Sequence, residues 1–425
     1  MTLRARTVAL DDDRPLLSLL PRDHGGRGPA DALAWVHTAA GSDEGLVGWG
    51  VAARLVPAPG ADRFAAAEQA FRDLDIEVDD EVGALGTGPV AFGTFAFTDD
   101  APGSLLALPR VIVGRRDGRT WLTTIDPADG TAPAPVGLPD PAAARSEPAR
   151  DRARFAGSSQ PDRYWLEAVA TAVERIRAGA LDKVVLARDH AVWSQQPFDA
   201  ADLARRLFAR FPSCHTFIVD GFVGATPELL LSRRDREVFS RVLAGTAGRS
   251  EDEADDAALG AALLASAKEQ AEHRFAADSV RDVLRPLTDA LHHDPTPRLL
   301  RLDNVQHLAT TFTGTLAEDR SALEVVAALH PTAAVGGTPR REAVELIAEL
   351  EGMDRGRYAA PVGWTDLTGN GEWGIALRCA SLDGARARLF AGVGVVAGSL
   401  PEAELEETRL KLLAMQTALG EDPTA

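Results

Sequence analysis

The sequence of 425 residues predicts an α+β fold in which antiparallel strands and helices form separate layers. Strand-like runs rich in valine and aromatic residues come in adjacent pairs with tight turns between them, as in 215–231. Long segments with helical periodicity separate these pairs, and 253–291 is one of them. Paired neighbouring strands favour antiparallel layers, because a doubly wound parallel sheet alternates single strands with helices.

Composition divides the chain into an N-terminal part and a main region. Residues 1–125 contain short strand-like runs and one amphipathic helix. Residues 126–160 are rich in proline, alanine, glycine and serine, which is typical of a linker or a long surface loop. Residues 161–421 alternate helices and strands and form the main region.

The elements of the main region follow its hydrophobic pattern. A helix over 162–180 is expected to end near its glycine, and a short buried strand follows at 184–186. A second helix covers 202–212, and 305–316 is strand-like. The segment 373–396 indicates two antiparallel strands joined at the Asp-Gly step near its middle.

Charge and cysteine content exclude several classes of protein. A net charge of -18 is unsuited to coating nucleic acid or an anionic membrane. The two cysteines, Cys214 and Cys379, have no metal-site or disulfide spacing. The N-terminus does not resemble a secretory signal, and no run approaches the roughly 20 apolar residues of a spanning helix. We therefore expect a cytoplasmic protein that binds neither nucleic acid nor membrane.

Two pairs of glutamates are candidates for a metal site. Glu269 and Glu272 lie three residues apart in one predicted helix, and Glu404 and Glu407 lie three apart in another, so each pair shares a helix face. Lys411 follows on the face of the second pair. Carboxylate oxygens suit Mg²⁺, but the same spacing also fits a solvated face with ordinary ion pairs.

Three charged residues could act on a substrate. Lys183 opens the short buried strand and is either a solvent-reaching lysine or a catalytic base. Glu228 precedes an apolar run, where burial would raise its pKa and suit a general acid, although a strand-edge glutamate is the alternative. Arg378, inside an apolar strand, could clamp a carboxylate. The glycine-bearing segments 241–249 and 390–399 could bring backbone amides close to an anion.

The order of these segments resembles the chorismate-utilising enzymes, a family that includes anthranilate synthase component I, aminodeoxychorismate synthase, isochorismate synthase and salicylate synthase. The resemblance covers about residues 160–420 and rests on segments such as LDKVVLARD, FVGATPELLL, AKEQAEHRF, LHPTAAVGGTPR, GIALRCASL and GVGVVAGSLPEAELEETRLKL. It implies an α/β sandwich of two large antiparallel sheets packed together with helices outside. Residues 1–125 would complete this sandwich, and 161–421 would form the chorismate-binding catalytic region.

The resemblance also implies a role for each candidate. Members of the family that use ammonia typically have glutamine at the position of Lys183, whereas members that add water have lysine there. Lys183 would thus take a proton from the water that attacks ring carbon 2, and Glu228 would protonate the hydroxyl leaving carbon 4. The implied Mg²⁺ ligands are Glu272 and Glu407, with Glu269 and Glu404 supporting the ion through water. The implied substrate contacts are Arg378, Tyr358 and Lys411, amides near Gly245, Thr246, Gly392 and Gly394, and His330, whose role in the family is less clear.

The activity implied is that of an isochorismate synthase, the reversible Mg²⁺-dependent conversion of chorismate to isochorismate for menaquinone or a catecholate siderophore. The alternative is a salicylate synthase, which adds pyruvate elimination in the same pocket and also uses Lys183. Anthranilate synthase is disfavoured by Lys183. A non-catalytic binding protein of this fold should have lost at least one of Lys183, Glu228, Glu272 and Glu407, and all four are present. The expected partner is chorismate, and the expected assembly is a monomer or weak dimer.

Overall fold

The computed structural model describes residues 2–21, 31–130, 138, 153–302 and 305–420. The strands β1 to β21 are Leu3–Ala9, Leu33–Ala39, Ser42–Leu55, Ile76–Asp80, Val90–Thr94, Leu105–Arg116, Arg119–Pro127, Arg154–Gly157, Lys183–Trp193, His215–Val219, Phe222–Thr226, Leu229–Arg234, Glu237–Gly248, Thr288–His293, Arg298–Arg301, Val305–Leu316, Gly337–Thr338, Pro361–Asp366, Gly371–Ile375, Cys379–Asp383 and Arg386–Val395. The helices α1 to α8 are Arg63–Arg72, Asp162–Arg177, Ala200–Arg210, Glu253–Ala265, Ala267–Leu284, Ala322–Leu329, Arg340–Leu350 and Pro401–Leu419. Short 3₁₀ helices span Leu16–Leu19 and Arg285–Leu287.

The strands form two antiparallel runs that meet at β6. One run follows β9, β21, β20, β11, β10, β2, β3 and β6. The other follows β6, β5, β18, β19, β12, β13 and β16. Because β6 belongs to both runs, the strands form one continuous hydrogen-bonded network. The prediction of an α+β fold built on antiparallel sheets is confirmed.

Buried aromatic side chains hold the two runs face to face. Trp35 on β2 and Trp373 on β19 come from different runs, yet both are fully buried in the same core cluster. The indole Nε1 of Trp35 donates a hydrogen bond to Oε2 of Glu372 at 2.9 Å, which fixes one run against the other. Burial of such large side chains supplies much of the favourable free energy of folding.

The predicted hairpin at 215–231 is confirmed between β10 and β11. Asp220 and Gly221 form its two-residue turn, with φ angles of 53° and 70°. Positive φ at both positions is the geometry that matches the twist of the two strands, and Asp-Gly is a favoured pair for it.

The prediction of one continuous helical stretch over 253–291 is wrong, because the helix is interrupted and ends before residue 291. The stretch consists of α4 and α5, separated at Ser266, and then β14, which pairs with β16. The Ser266 side chain accepts a hydrogen bond from the backbone N–H of Glu269, so the serine caps α5 instead of continuing α4. As a result, Glu269 and Glu272 lie in the first two turns of α5.

The position predicted for Arg378, inside a strand, is also wrong. The segment 373–396 holds parts of three strands, because the chain passes from β19 in one run to β20 in the other. Arg378 lies at this crossing with φ of 46°, a left-handed conformation that is uncommon for a residue with a Cβ. The crossing, and not a strand, therefore places its side chain between the two runs.

The predicted loop over 126–160 lies mostly outside the described residues. Within the described part, β7 continues to Pro127 and Arg154–Gly157 forms β8, which pairs with β9. Strands from the first 125 residues pair with later ones at two places, β2 with β10 and β5 with β18. The predicted domain boundaries stay a prediction. Among the helices that the structure describes, none combines the length and apolar character needed to cross a membrane.

A buried ion pair supports β9 at the strand edge opposite β21. The Nε of Arg355 donates to Oε2 of Glu351 at 2.9 Å, and both side chains are almost inaccessible to solvent. Arg355 also donates to the backbone carbonyls of Val185 and Val335, each at 2.8 Å. Oε1 of Glu351 accepts from the backbone N–H of Ala187 at 2.7 Å. These bonds fix the strand that begins with Lys183.

Replacing Arg355→Met should destabilise the fold strongly, because the Glu351 carboxylate would remain buried without its partner. We expect a loss of about 3–5 kcal/mol in the free energy of unfolding, measured by chemical denaturation. The control is Arg341→Met, which removes an exposed pair with Glu345 on α7 and should leave the denaturation midpoint nearly unchanged. Equal effects of the two substitutions would contradict the role assigned to Arg355.

Candidate active site

Lys183 points into the protein and not into solvent. It is the first residue of β9, and its side chain is 0% exposed. Its Nζ lies 3.3 Å from Oε1 of Glu272 on α5 and has no hydrogen-bond partner of good geometry within the described part of the chain. The alternative of a solvent-reaching lysine is therefore excluded. The amine lies at the glutamate cluster, where the predicted base should be.

Two glycines of β21 make room for the side chains above them. Gly394 and Gly392 pair with Val185 and Ala187 of β9 and lie two residues apart, so they share one face of the strand. A Cβ on Gly394 would lie 2.0 Å from Oε1 of Glu272, and a Cβ on Gly392 would lie 2.9 Å from the hydroxyl of Tyr358. Only glycine fits at Gly394 without displacing the site.

Glu228 lies between β11 and β12 and is 3% exposed. Burial raises the pKa of Glu228 to about 8, although a hydrogen bond from the backbone of Leu243 and the charges of Lys183 and Arg241 act in the opposite direction. A carboxyl group with this pKa is largely protonated at neutral pH. It can therefore donate a proton, as the role of general acid requires.

The inner glutamates, Glu272 and Glu407, each lie beside a lysine side chain. Glu272 contacts Lys183, and Oε1 of Glu407 lies 2.7 Å from Nζ of Lys411. Lys411 also donates to the backbone carbonyl of Gly392 at 2.9 Å, which joins α8 to β21. Burial alone would raise the pKa of Glu407, but the adjacent Lys411 lowers it below its usual value. Glu407 is therefore held as a carboxylate.

The outer glutamates, Glu269 and Glu404, share one lysine. Nζ of Lys268 lies 2.7 Å from Oε1 of Glu404 and 3.2 Å from Oε1 of Glu269. Burial and the charge of a neighbouring glutamate raise the pKa of both outer carboxyls, while Lys268 acts to lower it. The four glutamates are thus crowded enough to disfavour one another's charge, and cations hold them together.

A β-bulge aims a backbone amide at the cluster. The pairing of β13 with β16 shifts by one residue at Gly245, whose φ is 77°. An extra residue of this kind, with glycine in the left-handed region, re-aims the groups that follow it. The N–H of Thr246 consequently donates to Oε2 of Glu269 at 3.1 Å.

His307 on β16 is a site residue that sequence reasoning missed. Its Nδ1 lies 3.3 Å from the carbonyl of Gly245 and 3.1 Å from Oγ1 of Thr246, and Nη2 of Arg378 lies 3.3 Å from its Nε2. Burial, together with the charges of Arg378 and Lys411, holds the pKa of His307 well below its usual value. The ring is therefore neutral and can accept from Arg378, which it orients. A histidine in the otherwise apolar and threonine-rich segment 305–316 was the available signal.

Part of this set of residues lines a cavity between the two runs of strands. The predicted site residues that line it are Glu228, Gly245, Thr246, Glu272, Tyr358, Arg378, Gly392, Gly394 and Lys411. The ring of Tyr358 stacks on that of Phe390, with centroids 5.0 Å apart. The polar lining of the cavity contains charges of both signs.

His330 does not join the other predicted residues. It ends α6, is buried, and its Nε2 lies 2.9 Å from the carbonyl of Phe97. Its ring also packs edge-on against the Phe97 ring, and it is not among the described residues that line the cavity. This geometry favours a structural role and gives no support to a direct substrate contact.

A second group of possible metal ligands, His37, His215 and Glu372, lies elsewhere in the core. Both carboxylate oxygens of Glu372 are already engaged, one with Nη2 of Arg116 at 2.7 Å and the other with the indole of Trp35 at 2.9 Å. A cation bound there would face the guanidinium of Arg116, so this group is better described as an ion pair between β6 and β19.

Fold and cavity together define an enzyme-like protein that holds a small molecule between carboxylates and cations. The family model described as chorismate binding enzyme matches residues 31–420, and the chain belongs to that family. The predicted family membership is confirmed.

Proteins similar to this chain in sequence and in structure include named isochorismate synthases. The chain is 40% identical to isochorismate synthase DhbC of Bacillus subtilis over 275 residues, which is 62% of this chain and 69% of that protein. It is 41% identical to isochorismate synthase EntC of Escherichia coli K12 over 258 residues, 59% of this chain and 66% of that protein. Among solved structures, MenF, the menaquinone-specific isochorismate synthase of Escherichia coli, matches with a TM-score of 0.76 and 27% identity, covering 98% of this chain and 94% of that one.

The substitution Gly394→Ala should disable the site without unfolding the protein. The new methyl group would displace the Glu272 carboxylate and the Lys183 side chain, whose Cε would be 2.9 Å away. Misplacement of reacting groups by about 1 Å can cost on the order of 10²-fold in rate, so we expect a loss of that size in kcat/KM for chorismate.

Gly248→Ala is the matched control, because a Cβ at this other strand glycine would meet no atom of the described residues within 4 Å. We expect it to keep full activity. Circular dichroism and thermal melts should show both variants folded. A fully active Gly394→Ala enzyme would contradict the packing described for β21.

Proposed function

We propose that this protein is an isochorismate synthase, an isomerase that converts chorismate reversibly to isochorismate. The observation that carries the proposal is the buried amine of Lys183 at the glutamate cluster, in a chain whose similar proteins carry this name. Isochorismate is used for menaquinone and for catecholate siderophores, and we propose one of these pathways, in the cytoplasm, for this enzyme.

Lys183 and Glu228 divide the proton transfers between them. Water attacks ring carbon 2, a new carbon–oxygen bond forms there, the ring double bond shifts, and the bond from carbon 4 to its hydroxyl breaks. Lys183 in its neutral form accepts the proton lost by the attacking water, and protonated Glu228 donates a proton to the departing hydroxyl. The departing group leaves as water, so atoms and charge balance.

We propose Mg²⁺ as the cofactor, with Glu272 and Glu407 as its ligands and Glu269 and Glu404 supporting it through water. An oxygen of Glu407 already lies 2.7 Å from the ammonium group of Lys411, so a cation is accepted at this position, and an oxygen of Glu272 lies 3.3 Å from the amine of Lys183. Carboxylate oxygens are the donors that Mg²⁺ prefers. When bound, the ion supplies positive charge that offsets a substrate carboxylate and fixes its orientation.

The remaining cavity groups suit a substrate with two carboxylates. A chain of net charge -18 repels a dianion over most of its surface, so local cations must attract it. Arg378 and Lys411 supply positive charge at the cavity, and Tyr358 adds a hydroxyl. Arg378 is pre-oriented by His307, which reduces the cost of ordering it on binding.

Incubation of the purified protein with chorismate and Mg²⁺ tests the proposal. Isochorismate is the expected product, in equilibrium with chorismate from either direction, and chelation of the metal should stop turnover. Product analysis by liquid chromatography distinguishes the alternatives. Lasting salicylate and pyruvate as main products would establish the salicylate synthase alternative instead, and anthranilate formed with ammonia would contradict the role of Lys183.

Lys183→Ala should reduce kcat by about 10²–10⁴-fold, because the variant lacks the amine that we propose as the general base. Binding of chorismate in the presence of Mg²⁺, measured by calorimetry, should persist. Substantial turnover by this variant would show that the base lies elsewhere.

The rate of isochorismate formation should fall as pH rises above about 8, because Glu228, whose pKa burial raises to about 8, must carry its proton to act as the acid. Below that pH the group is protonated and this limb of the profile is flat. The measurement is kcat/KM for chorismate against pH, which reports groups of the free enzyme, compared with Glu228→Gln, which should be nearly inactive and lack the limb. An unchanged high-pH limb in a still-active glutamine variant would assign it to another group.

A further inference from the structure

The chain uses lysine at only three positions among its 45 basic residues. These are Lys183, Lys268 and Lys411, and every one of them contacts a member of the four-glutamate cluster. The resemblance gives Lys183 and Lys411 their roles but none to Lys268. Since arginine supplies all other positive side chains, the presence of lysine here needs a physical reason.

Lys268 links the two helices that carry the glutamates. It lies in the first turn of α5, and its ammonium group is 2.7 Å from the carboxylate of Glu404 on α8. The same nitrogen is 3.2 Å from its neighbour Glu269. The Glu404 side chain is 1% exposed, so its charge depends on partners inside the protein, whereas Lys268 is 29% exposed.

We propose that Lys268 is a positioning residue, an internal counter-ion that holds α5 against α8 and so sets both the spacing of Glu272 and Glu407 and the affinity of the site for Mg²⁺. Each helix brings one inner and one outer glutamate to the cluster. Repulsion between the two pairs would separate the helices, and one shared ammonium group between Glu269 and Glu404 opposes this. The statement about Mg²⁺ affinity rests on the proposed function, while the statement about the helices does not.

The geometry explains why lysine and not arginine occupies this position. An ammonium group is a compact charge with three donors that can point to carboxylates of different residues. A guanidinium is larger, and its donors point in fixed directions within one plane. The stem of Lys268 also passes the turn before α8, where a Cβ on Gly398 would lie 4.0 Å from its Cγ.

The charge of Lys268 has opposite effects on the two forms of the site. Without metal it stabilises the cluster by offsetting carboxylate repulsion. With metal it adds a positive charge close to a divalent cation, which weakens binding by Coulomb repulsion. Removing the charge should therefore lower the stability of the metal-free protein and tighten the binding of Mg²⁺.

The test compares Lys268→Met with the wild-type protein, both freed of metal by chelation. We expect the melting temperature of metal-free Lys268→Met to fall by about 2–5 °C, because a buried carboxylate loses its partner. We expect the Kd for Mg²⁺, measured by isothermal calorimetry without substrate, to decrease about 3- to 10-fold. Lys268→Arg should restore most of the melting temperature because it keeps the charge.

Two further variants make the result specific. Glu404→Gln added to Lys268→Met removes the unpaired charge and should recover the lost stability, including where Lys268→Met alone does not fold. Arg281→Met removes a basic residue of the same helix that pairs with exposed Asp278 and Asp282, and it should change neither quantity.

An unchanged melting temperature in Lys268→Met, absence of recovery by Glu404→Gln, or weaker Mg²⁺ binding would each overturn the inference. These outcomes can be distinguished from a result in which the proposed function itself is wrong. If the wild-type protein bound no Mg²⁺, the metal part of both proposals would fall together. The melting temperatures of the metal-free variants would still decide whether Lys268 holds the helices.

Discussion

The structure depends on keeping four carboxylates together in a partly buried site of a strongly acidic protein. Like charges at short range repel strongly where water is excluded, and nothing about two packed helices favours such a cluster. The cluster is held together by lysine side chains from three different elements: Lys183 from β9, Lys268 from α5 and Lys411 from α8. The positions of β9, α5 and α8 relative to one another are therefore set by charge as well as by apolar packing.

Close packing of backbone against side chain makes this arrangement possible. The glycines of β21 allow Glu272 and Lys183 to lie over the strand, where any Cβ at Gly394 would overlap the carboxylate. At the edge of β9 opposite β21, Arg355 and Glu351 bond to the backbone of β9 and fix its start. Lys183 is thus held between the glycines of β21 and a strand fixed by Arg355 and Glu351, which limits the positions that its amine can take.

Local patterns in the sequence predicted several of the elements and the candidate site residues. Helical spacing placed the glutamate pairs on shared faces, and adjacent strand-like runs predicted the β10–β11 hairpin. Features that depend on contacts between distant segments were not predictable in this way. The crossing at Arg378 requires knowing that β19 and β20 belong to different runs, and the bonds of His307 arise only once β13 and β16 pair. The contact of His330 was equally unpredictable, because the segment LHPTAAVGGTPR gives no sign that the ring would bond to the carbonyl of Phe97.

Burial alone does not determine which carboxyl donates a proton and which holds a cation. Glu228 and Glu407 both lie deep in the protein, and burial acts on each to raise its pKa. Glu407 has the ammonium of Lys411 at 2.7 Å, and the pKa of Glu407 is lowered, so it stays charged and can serve as a ligand. Glu228 has no ion-pair partner within 4 Å among the described residues, and burial prevails there, so it keeps its proton. The distance to the nearest lysine therefore assigns opposite roles to two chemically identical side chains in one cavity.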